Sequence, residues 1–135
     1  MSDFDKLSHE YENILNRDIG CSGEGAEYFA DYKAKCVKKY LGNDFKGGIL
    51  DYGCGIGLVT KHLNKYFDTE RVSITGYDIS KDSVKKANEK IKDTIFISDF
   101  EKIGRASFDV IIMANVMHHV KPEERDDFLK KYRVF

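Results

Sequence analysis

The stretch that most constrains this chain is Asp51-Tyr52-Gly53-Cys54-Gly55-Ile56-Gly57. It follows the short apolar run Gly48-Ile49-Leu50. It precedes Leu58, Val59, His62, Leu63 and Tyr66, whose spacing predicts a helix from 58 to 67. Glycine at alternate positions between a strand and a helix lets the backbone turn sharply. It also lets a ligand approach closely, because no Cβ stands in the way. The N–H groups of the first helical turn point toward the same space. This order of strand, glycine turn and helix favours a nucleotide-like ligand, although a tight structural turn is the alternative.

The remaining pattern extends the same architecture. Val72 to Tyr77 alternates as a strand and ends at Asp78. Ser80 and Asp82 suit the start of a helix that runs to about Ile91 and buries Val84, Ala87 and Ile91. Residues 94–98 and 108–114 predict a third and a fourth strand, the third ending at Asp99. Pro122 suits a first helical position, with Glu123 and Glu124 behind it. Before the glycine turn, two helices are expected, at about 4–16 and 26–41. The second would bury Phe29, Cys36, Val37, Tyr40 and Leu41 and stop at Gly42-Asn43. Apolar strands alternating with amphipathic helices imply an α/β fold, a Rossmann-like parallel sheet covered by helices. Residues 1–45 form a helical leader or cap and 46–135 the sheet domain. Ligands of such sheets bind beyond the carboxyl ends of the strands, where the glycines, Asp78 and Asp99 all fall.

Composition narrows the partners. With 22 basic and 23 acidic residues the net charge is −1, which provides no electrostatic footprint for nucleic acid or for an anionic membrane. The three cysteines, Cys21, Cys36 and Cys54, make no C-x-x-C pair, so no metal site is expected and a reduced, cytoplasmic location fits. No secretory h-region or membrane-length apolar run is seen. His9 and His62 read as surface or helix-face residues.

The loop itself discriminates between ligands. The dinucleotide fingerprint is G-x-G-x-x-G, with pyrophosphate on the helix N-terminus. This chain has the shorter G-x-G-x-G, with a carboxylate, Asp51, just before it. A carboxylate repels phosphates and attracts a cationic group. S-adenosylmethionine lacks phosphate and carries an ammonium and a sulfonium.

Residues 49–57 resemble motif I of class I S-adenosylmethionine-dependent methyltransferases, and the similarity extends to about Val120. The resemblance implies roles for individual residues. Asp51 anchors the methionine moiety, while Gly53, Gly55 and Gly57 shape the floor beneath the cofactor. Asp78 is similar to the acid that bonds the ribose hydroxyls, Ile79 would pack on adenine, and Asp99 would meet the adenine amino group. Residues 108–120 resemble motif IV of the small-molecule type. Asn115, Met117 and His118 would face the acceptor, with Asn115 also at the cofactor and His118 the candidate catalytic base. The adenine-N6 signature N-P-P-Y is replaced by Asn115-Val116-Met117-His118, which favours a small-molecule acceptor over nucleic acid.

A complete domain of that family has seven strands in the order 3-2-1-4-5-7-6. This chain is expected to show four, in the order 3-2-1-4, as a truncated domain that keeps the cofactor-binding half. The outer edge of the fourth strand would then be bare, and homodimerisation is one way to cover it. Two alternatives to an active transferase are an inactive cofactor-binding or protein-interaction fragment and an NAD-dependent oxidoreductase fragment.

Overall fold

The computed structural model describes residues 24–103, 108–114, 116 and 119–130. The expected helix at 4–16 lies outside them, as do Asn115, Met117 and His118. Helix α1 spans Glu24–Leu41, strand β1 Gly47–Tyr52, helix α2 Leu58–Tyr66 and strand β2 Val72–Tyr77. Helix α3 spans Lys81–Lys90, strand β3 Ile95–Ile97, strand β4 Val110–Ile112 and helix α4 Arg125–Lys130. The strands form one sheet in the order β3-β2-β1-β4, which the resemblance implies, and all pairings are parallel, as the alternation predicts. The third and fourth strands are shorter than expected.

The terminators work as their chemistry dictates. Gly42 adopts φ +85° and its N–H reaches the Lys38 carbonyl at 2.8 Å, which closes α1. The Ser80 hydroxyl accepts from Ser83 N at 3.1 Å and opens α3. Pro122 begins a 3₁₀ turn that leads into α4.

Because β1 is central, its side chains alternate between two packed faces. Ile49 points into a core built from α1, α2 and β2, with Ala34, Leu63, Phe67, Val72 and Ile74. Leu50 and Tyr52 point the other way, toward Tyr77, Phe100, Ile103 and Phe108. There the Tyr52 and Tyr77 rings lie 5.0 Å apart, and Phe128 of α4 meets Tyr52 edge-on. Asp51 shares the parity of Ile49, so it faces α1 and α2 rather than the aromatic side. That single fact of register sets the surroundings of the candidate site.

The buried side of α1 differs from the expected one. Ala26, Ala30 and Ala34 are buried, with Val37 and Leu41 packed against the core. Phe29, Cys36 and Tyr40 are exposed, Tyr40 at 89%. The alanines recur every four residues, so they form one stripe along which α2 can approach closely. Polar contacts fix that approach. Glu27 accepts from Lys61 Nζ at 2.6 Å and lies 2.6 Å from His62 Nε2, while Asp31 accepts from the Tyr66 hydroxyl. His62 is therefore mostly buried between two helices, its side chain 13% exposed, rather than on the surface.

Candidate functional site

The carboxyl ends of β1 and β2 meet at the glycine turn. Gly53 N and Cys54 N both donate to the Tyr77 carbonyl, at 2.7 and 2.9 Å. One residue on, Asp78 accepts from Gly55 N at 2.8 Å through Oδ2 and from Ser80 N at 2.9 Å through Oδ1. The turn is thus held to β2 by three hydrogen bonds. An ionised carboxylate accepts at about four positions, so both Asp78 oxygens retain capacity for a ligand.

The three loop glycines have φ of +78°, +56° and +88°, the left-handed region. They differ in what surrounds them. A Cβ on Gly53 would meet Val116 Cγ2 at 2.3 Å, and one on Gly57 would meet Ile91 and Phe96 at 2.8–2.9 Å. Those two glycines serve packing. At Gly55 a Cβ would meet nothing within 4 Å, so the turn presents bare backbone to open space at its apex.

Asp51 is 1% exposed, and its Oδ2 accepts from the Thr60 hydroxyl at 2.6 Å. Burial lifts its carboxyl to about 6. The Thr60 hydrogen bond opposes that, the charge of Asp78 adds to it, and Lys33 of α1 opposes it. Burial in turn pulls Lys33 down, countered by the charge of Asp51. A buried carboxylate with so little compensation is poised to accept a further cation. Cys54 is buried in the same turn. Burial first, then Asp51 and Asp78, push its thiol well above its ordinary value, so it is not a ready nucleophile.

The structure therefore brings together Asp51, Gly53, Gly55, Gly57 and Asp78, with Ile79 beside them at 57% exposure. Asp99 stands at the same end of the sheet, exposed, where it accepts from Glu101 N at 3.1 Å and caps the 3₁₀ turn Phe100–Lys102. Thr60 and Lys33 are additions to the sequence-based set. A threonine beside Leu63 on the inner side of α2 was the available signal for the first. Lys33 carried no local signal, because its partner lies across the fold. Among the described residues no three His, Cys, Asp or Glu side chains cluster to hold a metal, and no helix is long and apolar enough to cross a membrane.

The fold and this turn define a nucleotide-type α/β site, and comparison places it in a family. The methyltransferase domain model matches residues 49–134, more than half of the chain, and the chain belongs to that family. It is 29% identical over 131 residues to the carboxy-S-adenosyl-L-methionine synthase of Helicobacter pylori, covering 94% of this chain and 54% of that protein. It is 32% identical over 134 residues to an uncharacterised methyltransferase of Staphylococcus carnosus, covering 96% and 59%. The chain spans little more than half the length of these curated relatives. The solved magnesium protoporphyrin IX methyltransferase of Synechocystis, with bound S-adenosylmethionine, shares the fold at TM-score 0.65 and 20% identity, covering 89% of this chain and 57% of that one.

Proposed function

We propose that this chain binds S-adenosylmethionine at the β1–α2 turn and serves methyl transfer to a small-molecule acceptor. The observation that carries the proposal is the pairing of a buried, under-compensated carboxylate with a bare glycine apex. Asp51 offers a negative charge, which suits an ammonium and repels phosphate. Asp78, oriented by two backbone donors, offers acceptors for a pair of sugar hydroxyls. Ile79 gives an apolar surface for a base, and Asp99 an acceptor near its rim. S-adenosylmethionine, when bound, supplies an activated methyl on a sulfonium. The chain's contribution is to hold that ligand in line with an acceptor, which is a matter of proximity and orientation. Asn115 and His118 complete the proposal on the acceptor side, with His118 as a candidate proton acceptor.

Calorimetric titration with S-adenosylhomocysteine tests the cofactor assignment, wild type against Asp78→Ala and Asp78→Asn. The expected result is binding by the wild type and a loss of roughly tenfold or more in the alanine variant, about 1.4 kcal/mol. Tighter binding of NAD than of S-adenosylhomocysteine would overturn it. Product formation with a panel of small acceptors separates a transferase from a binding module.

The similarity to a carboxy-S-adenosyl-L-methionine synthase favours a second reading, in which the bound cofactor itself is the molecule modified. Mass spectrometry of the ligand that co-purifies with the protein distinguishes the two.

A further inference from the structure

Thr60 is fully buried on the inner side of α2 and spends its hydroxyl on a single acceptor, Asp51 Oδ2, at 2.6 Å. Its backbone position is fixed by the same helix that begins at the glycine turn. Asp51 is held from the other side by β1, whose register with β2 and β4 runs through that residue. A carboxylate this confined has one oxygen committed to Thr60. We propose that Thr60 is a positioning residue for the ligand: its hydroxyl fixes Oδ2 of Asp51 and so leaves Oδ1 as the oxygen for the ligand's ammonium. This deepens the cofactor assignment made above and rests on it.

The physical case is a balance of few contributions. Burial favours the neutral carboxylic acid, and the charge of Asp78 at the end of β2 works the same way. Against them stand the Thr60 hydrogen bond and the charge of Lys33 from α1. Among the described residues Cys54 also feels the charge of Asp51; its thiol is pushed upward, by burial first, and stays neutral. Removing the Thr60 hydroxyl therefore takes away one of two influences that keep Asp51 ionised. A protonated Asp51 has no charge for an ammonium. Binding should then require a higher pH, which a residue that only fills space would not cause.

The experiment compares wild type, Thr60→Val and Thr60→Ser. S-adenosylhomocysteine affinity is measured from pH 5 to 9, and the Asp51 carboxyl is titrated by carbon NMR without ligand. Valine keeps the shape and loses the hydroxyl; serine keeps the hydroxyl and loses the methyl. In Thr60→Val both midpoints should rise by about one pH unit, the effect of losing one hydrogen bond to a charged group, with affinity falling about threefold near pH 6.5 and close to tenfold at about pH 5. Thr60→Ser should keep the wild-type midpoints. Unmoved midpoints in Thr60→Val, or equal shifts in valine and serine variants, would overturn the proposal. Should the wild type bind no S-adenosylhomocysteine at any pH, the cofactor assignment fails, while the NMR titration still reports whether Thr60 governs Asp51.

Discussion

Asp51 should cost the fold stability at the pH where it serves a ligand, and Asp51→Asn measures how much. Burial raises this carboxyl from 3.8 to about 6. A group whose folded value lies above its unfolded value contributes most below the unfolded value, and that contribution is lost as pH rises through the folded one. The window is therefore pH 4 to about 7. A shift of about two units corresponds to roughly 3 kcal/mol at about 1.4 kcal/mol per unit. Asparagine cannot ionise and still offers an oxygen to the Thr60 hydroxyl. Its stability relative to wild type should thus climb by about 2.5 kcal/mol between pH 4 and 8, so that the variant overtakes the wild type or nearly does so. Urea unfolding at the two pH values gives the comparison, and taking variant minus wild type cancels the titrations that are not coupled to Asp51. Saturating S-adenosylhomocysteine should reverse the order at pH 8, because only the wild type gains binding free energy. A variant-minus-wild-type difference that does not change with pH would refute the reasoning.

The loop glycines should separate folding from binding. Gly55→Ala carries only the left-handed backbone cost, about 1 kcal/mol, yet should weaken S-adenosylhomocysteine more than that cost explains. Gly57→Ala adds overpacking against Ile91 and Phe96, so it should lose roughly 2–4 kcal/mol in urea unfolding. At the sheet edge, β4 has no outer strand neighbour among the described residues. Sedimentation should show a concentration-dependent dimer, with slow amide exchange along Val110, Ile111 and Ile112; a monomer at all concentrations with fast exchange there would exclude it.

Much of this was legible in the sequence because it rests on local chemistry. The glycine turn, the Ser80 cap and the Gly42 stop depend on residues a few positions apart, and their boundaries fell within a residue or two. The parallel pairing followed from the alternation, and the strand order from the resemblance. The inner side of α1 was misjudged because large side chains were weighted over small ones. Ala26, Ala30 and Ala34 carry little hydrophobic signal, but their size is what admits α2. Between the surface and helix-face readings of His62 the sequence could not decide, since its burial is made by Glu27 and Asp31 more than 30 residues away. Lys33 and Thr60 reach Asp51 only after the leader helix and α2 dock on one face of β1. No window of sequence contains that meeting.

The Tyr77 carbonyl takes two amides from the glycine turn, and the next residue, Asp78, takes a third. The turn therefore hangs from its neighbour strand as much as from its own. Grafting residues 51–57 alone into another parallel sheet would transfer the letters without the shape; β2 through Ser80 has to travel with them.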